Sequence, residues 1–419
     1  MDRLELLAPA GDPEKLKIAI RYGADAVYFG GELFSLRAGA GGFTVKDIRE
    51  CVAYAHEHDV RCHMTLNIYA HNEDIQPLQE YLKELRGIPM DAFIVSDPAV
   101  IRLLQEYFPD AELHLSTQAN TTNYLSARFW YDMGIRRLVL ARELSLDEIA
   151  QIRELIPEDM ELEAFAHGAM CISYSGRCLL SNFMTGRDAN RGACAHPCRY
   201  KYRLEEEKRP GEYWPVEEDN RGTYIFNSND LCMLEHIPDL AKAGITSLKI
   251  EGRMKSIFYI AHVIKAYRQA IDAYERIAAS ENRSALADGS WFDPSWKEEM
   301  LKASHRDFTT GFYYHKPGAE DQNYSSSSYS RDYAFVGLVK GYDMETGMAT
   351  IEQRNKMSLG EEIEVFGPGD TSGFTQTITD MWDENGDAIT SAPHPQQILR
   401  MKMTQPVDTD WMLRRKQPR

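Results

Sequence analysis

The chain has 419 residues, 43% hydrophobic and 11% aromatic, which is enough for an ordered core and for two domains. Its 47 Lys and Arg against 64 Asp and Glu give a formal net charge of −17. A basic coat for general nucleic-acid binding is therefore excluded, and any RNA contact must rest on a local basic face. The opening MDRLELLAPAGDPEKL is charged at positions 2, 3 and 5, unlike the apolar core of a signal peptide. No run approaches the roughly 18 apolar residues of a membrane span, so we expect a cytoplasmic protein with no membrane attachment and reduced thiols.

Short β-rich runs stand at 4–8, 26–30, 61–67, 92–96, 112–117, 137–141, 161–165 and 247–251, with helix-like segments between most of them. Asp12-Pro13 is an N-cap followed by a first-turn proline. TVKDIRECVAYAHEHD places Ile48, Cys51, Val52 and Ala55 on one helical face, and Ser145 to Glu148 forms a capping box. Strands alternating with helices predict a parallel sheet, and eight of them predict a closed (β/α)8 TIM-like barrel. An open doubly wound sheet is the alternative, but LAPAGDP lacks the glycine fingerprint of a dinucleotide fold. Cys51 and Cys62 read as core residues.

After the seventh run comes FAHGAMCISYSGRCLLSNFMTGRDANRGACAHPCRY, residues 165–200, holding Cys171, Cys178, Cys194 and Cys198. It opens an insertion of about 168–235 on the rim where barrel enzymes carry their chemistry. The spacing C-x6-C-x15-C-x3-C admits three readings. Four unrelated thiols are one. A structural zinc is the second, although zinc knuckles favour C-x2–4-C pairs, which only Cys194 and Cys198 approximate. The third is an iron–sulfur cluster, which tolerates irregular spacing in a glycine-rich wrapping; Gly168, Gly176, Gly186 and Gly192 supply that wrapping. Cys232, in NSNDLCML, is an alternative fourth ligand or a buried small side chain.

Past the eighth run, SIFYIAHVIKAYRQAIDAYERIAAS predicts a long amphipathic helix that completes the barrel domain at about 280. Residues 281–332 read as a helical and linker segment, ending in QNYSSSSYSRD. Short strands separated by turns predict a small β-barrel over 333–405, followed by a basic tail over 406–419.

The stretches ELLAPAGDPEKLKIAIRYGADAVYFGG, LSTQANTTN, AHGAMCISYSGRCLLS, RGACAHPCRY and LKIEGRMKS together resemble the U32 "peptidase", or collagenase-like, family over nearly the whole chain. The branches most resembled are the tRNA hydroxylation proteins. The resemblance implies formation of 5-hydroxyuridine at the tRNA wobble position, with prephenate as co-substrate and a [4Fe–4S] cluster. It implies cluster ligands at Cys171, Cys178 and Cys194, with Cys198 as the fourth through its match to CAxPCR. It also implies a possible partner, a second and shorter U32 paralogue.

A small carboxylate co-substrate calls for Arg or Lys in planar, bidentate geometry. Arg253, after the eighth strand, is the first candidate, with Lys249 beside it and Arg37 after the second strand; Arg37 reads equally well as a solvated loop residue. Asn67, Gln118 and His167, at other strand ends, would orient substrate or simply cap strands. Glu251 would pair with Arg253 or accept a proton. RNA would be met by Arg199, Tyr200, Lys201 and Arg203 in CRYKYR, with Tyr202 interleaved, and by Arg414, Arg415 and Lys416. A peptidase is the second functional class, named by the family, but HEHD at 56–59 is not a HExxH motif. His167 and His196 near thiols leave a Cys–His arrangement open. A zinc-stabilised binding protein is the third class.

Overall fold

The computed structural model describes residues 3–35, 42–170, 174–175, 178–187, 189, 194–199, 203–205, 211, 213–215, 229–280, 283–317, 332–371 and 373–417. The barrel strands are β1 (Glu5–Pro9), β2 (Ala26–Gly30), β3 (Arg61–Leu66), β4 (Ala92–Val95), β5 (Glu112–Leu115), β6 (Arg137–Val139), β7 (Glu161–Ala169) and β8 (Ser247–Ile250). Each pairs in parallel with the next in sequence, and β8 pairs with both β7 and β1. Glu5 and Glu163 both stand opposite Ser247, so the sheet closes on itself without an edge, as an open doubly wound sheet would not.

Several helices begin where side chains can satisfy their first N–H groups. Asp12 accepts from the Lys15 N–H at 2.9 Å. Thr44 with Asp47, and Ser145 with Glu148, form reciprocal capping boxes. Helix Val45–His56 buries Ile48, Cys51, Val52 and Ala55 against the barrel. The long helix Ile257–Ala278 buries residues around most of its circumference, which an ordinary amphipathic surface helix does not do. Its outer side is covered by the C-terminal domain. Phe258 stacks on Phe335 with ring centres 5.2 Å apart, and the Lys265 ammonium donates to the Gly367 and Thr371 carbonyls at 2.7 and 3.1 Å.

Strand β7 runs beyond the barrel and carries one extra residue. Lys249 stands opposite Phe165, but Ile250 stands opposite His167, leaving Ala166 unmatched. Such a bulge reverses which face the following side chains occupy. The extension pairs antiparallel with Asp230–Cys232, whose far side meets Phe308–Thr309.

The C-terminal domain comprises β9 (Tyr333–Asp343), β10 (Met348–Gln353), β11 (Glu362–Phe366), β12 (Phe374–Thr377), β13 (Trp382–Asp383), β14 (Ile398–Lys402) and β15 (Met412–Lys416). They form one antiparallel sheet in the order β12-β11-β15-β9-β10-β14-β13, a half-barrel. The expected basic tail is corrected here: β15 lies between β11 and β9 inside this sheet. The linker expectation at 322–332 falls, except for Asp332, outside the described residues. No helix among the described residues is long and apolar enough to cross a membrane.

Candidate functional site

The parallel strands all deliver their C-terminal ends to one face, and there a cavity of about 780 Å³ opens. Its floor is made by Tyr28, Thr65, Ile94, Val139, Phe165 and Lys249, side chains of β2, β3, β4, β6, β7 and β8. Its wall carries Asn67, Gln118, Arg142, Glu251 and Arg253 from the loops that follow strands. The insertion closes one side with Cys178, Cys194, His196 and Cys198, and the C-terminal domain reaches it with Phe335, Arg354 and Asn355. Three separate parts of the chain therefore meet at one cavity.

Arg253 is buried, yet it is a fully charged group. Its Nη1 donates to the Ser35 and Thr65 hydroxyls at 3.0 Å each, and those hydroxyls lie 2.7 Å apart. Gly30 makes room for this cradle. A methyl there would stand 2.6 Å from Ser35 Cβ and 2.8 Å from Arg253 Nη1. Gly30→Ala is accordingly expected to cost about 1–3 kcal/mol through overpacking and to displace the guanidinium. Thermal melting, combined with titration of a small carboxylate into the cavity, would check both effects.

Lys249 Nζ donates to Glu163 Oε1 at 2.6 Å and sits 4.3 Å from the centre of the Tyr28 ring. Burial lowers the lysine's proton affinity, although the Glu163 charge and hydrogen bond oppose that change. Burial alone would raise the Glu163 carboxyl; Lys249 and Arg137 outweigh it, and the group lies below the ordinary carboxylate range. Glu251 receives a hydrogen bond from Arg142 at 3.3 Å, so the pairing expected with Arg253 has Arg142 in it instead. The Arg142 guanidinium also lies 3.8 Å over the Phe165 ring.

Asn67, Ser116 and Gln118 form a buried polar cluster. Gln118 Oε1 accepts from Ser116 Oγ at 2.7 Å and from Asn67 Nδ2 at 2.9 Å, while Gln118 Nε2 has no partner among the described residues. A buried amide group left unsatisfied beside a cavity is suited to a polar ligand atom.

His167 departs from expectation. The bulge turns its ring away from the cavity and into a sleeve of Tyr259, Tyr267 and Phe308, with ring centres 5.6–6.0 Å away. Burial pushes the imidazole down to about 3, with Lys255 and His305 adding to the shift. It is neutral at pH 7 and belongs to the packing behind the site.

Cys178, Cys194 and Cys198 are half-buried on one cavity wall, whereas Cys232 is buried elsewhere. Cys194 Sγ accepts from the His196 backbone N–H at 3.4 Å, and His196 holds a left-handed φ of 55° just before Pro197. Partly exposed thiols, one of them accepting a backbone N–H, suit a thiolate-bound metal group in kind. Among the described residues alone, no three His, Cys, Asp or Glu side chains are arranged as a metal site. Cys171 lies outside the described residues, as do Arg37, Tyr200, Lys201 and the side chains of Arg199 and Arg203. Two further RNA contacts are corrected: Arg414 is buried in ion pairs with Glu299 and Glu364, and Arg415 pairs with Glu361, while Lys416 is exposed at the end of β15 and Tyr202 lies outside the described residues.

Sequence reasoning missed Tyr28, Ser35, Thr65 and Arg142. The signal for Arg142 was its place just after β6; Tyr28 carried none beyond the inward phase of β2.

A closed parallel barrel, roofed at its catalytic face by a thiol-bearing insertion and a C-terminal antiparallel domain, defines the class of protein. The chain belongs to peptidase family U32: the model of that family matches residues 11–323, and the model of the family's C-terminal domain matches 331–414. It is 43% identical to tRNA hydroxylation protein P1 of Bacillus subtilis, over 98% of this chain and 94% of that protein. It is 35% identical to tRNA hydroxylation protein P of Escherichia coli, over 99% and 96% respectively. A collagenase of Porphyromonas gingivalis is 32% identical over 87% of this chain and 86% of that protein.

Proposed function

We propose that this chain is an RNA-modifying hydroxylase acting on tRNA. The observation that carries the reading is the single cavity shared by three insertion thiols and the cationic groups Lys249, Arg142 and Arg253. Two relatives matched over almost their full length and named for tRNA hydroxylation support it. The finer reading is that the wobble uridine becomes 5-hydroxyuridine in the cytoplasm, with prephenate as co-substrate.

Cys178, Cys194 and Cys198, with Cys171, would hold a [4Fe–4S] cluster, which when bound supplies one-electron chemistry. The rest falls to the protein's own side chains. Arg253, fixed by Ser35 and Thr65, presents a pre-oriented guanidinium to a carboxylate. Arg142 holds Glu251 at the cavity wall, where its carboxylate can take a proton from a bound ligand. Gln118 offers its unused amide group to a carbonyl or hydroxyl. The insertion and the C-terminal domain limit water around these charges, which strengthens each interaction.

The reading is tested by expressing the chain in a bacterium lacking its own tRNA hydroxylation protein and analysing tRNA nucleosides. Restored 5-hydroxyuridine is expected. Absence of the nucleoside, together with gelatin hydrolysis by the purified protein, would favour the peptidase class instead.

A further inference from the structure

We infer that Lys249 is an imine-forming lysine, whose amine condenses with the carbonyl carbon of a 2-oxo carboxylate bound in the barrel cavity. The inference rests on the small-carboxylate part of the function proposed above and adds a covalent step to it.

The geometry differs from that of a structural ion pair. Lys249 ends on the cavity floor, and its side chain is only 6% exposed. It donates a hydrogen bond to Glu163 and otherwise meets the Tyr28 and Phe165 rings, at 4.3 and 5.8 Å from their centres. Removal from water makes the ammonium easier to deprotonate than in solution, which is how a buried lysine beside a proton acceptor becomes a nucleophile near neutral pH. Burial lowers its proton affinity accordingly. The proton has a destination in Glu163 Oε1, 2.6 Å away. Arg137 at 3.4 Å and the Ser247 hydroxyl at 3.4 Å hold Glu163 in place from the other side. Arg253, 5.9 Å from the centre of the same Tyr28 ring, supplies the seat for a carboxylate next to the reacting carbonyl.

The step balances. The ammonium passes a proton to Glu163, and the freed nitrogen pair forms an N–C bond with the carbonyl carbon. The C=O π pair moves to oxygen, which takes a proton as the amine gives one up, leaving a carbinolamine. Glu163 returns its proton to the departing hydroxyl, water leaves, and a protonated imine remains. Nothing is oxidised or reduced, and the net products are iminium and one water.

The test uses the full chain, pyruvate as the probe and cyanoborohydride as the trapping reagent, followed by peptide mapping by mass spectrometry. One reduced pyruvate adduct on the peptide bearing Lys249 is expected, formed well before any adduct on exposed lysines. Glu163→Gln should slow labelling at least about a hundredfold, the usual scale of acid–base assistance, and Lys249→Arg should abolish it. Mapping of the wild-type chain decides the matter even where a variant does not fold. Labelling spread over surface lysines, or absent from Lys249, overturns the inference. Neither tRNA nor a cluster enters this assay. Labelling at Lys249 without 5-hydroxyuridine in the complementation strain would therefore sink the hydroxylase reading and keep the imine, and the reverse outcome would do the opposite.

Discussion

Cys198→Ala is expected to reduce 5-hydroxyuridine in the complementation strain to background, whereas Cys232→Ala leaves it near the wild-type level. Both cysteines lie in or beside the insertion, and spacing alone left either as a fourth ligand. Position separates them. Cys198 is half-buried on the cavity wall with Cys178 and Cys194. Cys232 is buried in the strand opposite His167, and burial pushes its thiol up to about 11. Such a group stays protonated and behaves as a small apolar side chain. Its replacement by alanine should cost on the order of 1 kcal/mol of stability and nothing in chemistry. The opposite pattern, with Cys232 essential and Cys198 dispensable, would displace the assignment.

The second large effect concerns how the two domains are joined. Arg414, on β15, reaches across to Glu299 at 3.0 Å and stays with Glu364 of its own domain at 2.7 Å. Its Nη1 lies 2.7 Å from His262 on the long helix. Arg414→Met would leave Glu299 and Glu364 with Lys302 as their neighbouring lysine, at 3.0 and 3.3 Å, and without the buried guanidinium that bridges them. Losing the charge-assisted hydrogen bonds while one cation remains should cost about 1–3 kcal/mol, so Arg414→Met should lower the denaturant midpoint. The same pair predicts acid sensitivity. Burial alone would raise Glu299, but the Arg414 hydrogen bond, together with His262, the Arg414 charge and Lys302, brings it from an ordinary 4.5 down to about 2. A carboxyl lowered in the folded state stabilises fully above its unfolded value and ceases to do so as pH falls through its folded value. The contribution of Glu299 should therefore disappear between about pH 4.5 and 2. In Arg414→Met that portion of the pH dependence should flatten, which equilibrium unfolding across the range would show.

Much of this architecture was legible in the chain. Alternating apolar runs gave the barrel strands within a few residues of their observed ends, because period-2 and period-3.6 patterns are local properties. Asp12 and Ser145 marked helix starts for the same reason, since a cap is satisfied within three residues. His167 could not be placed in this way. Its orientation depends on one unmatched residue between β7 and β8, and that mismatch exists only once the strands are paired. Arg414 and Arg415 illustrate a similar limit. LRRK reads as a basic tail until a neighbouring sheet and the Glu299 and Glu361 carboxylates are brought to it. Glu251 lay near Arg253 in sequence, yet its partner Arg142 comes from the loop after β6. The cysteines were read as rim residues because they directly follow a barrel strand, and chain connectivity alone carries that information.

The central claim is that the insertion thiols at the barrel mouth bind an iron–sulfur group serving this cavity. Purification without oxygen, followed by iron, acid-labile sulfide and zinc analysis alongside an absorption spectrum, tests it most directly. The account predicts about four irons and four sulfides per chain, as in a [4Fe–4S] cluster. It also predicts a brown chromophore that disappears in Cys178→Ala. Stoichiometric zinc without sulfide, or a colourless protein that still restores 5-hydroxyuridine, would contradict it.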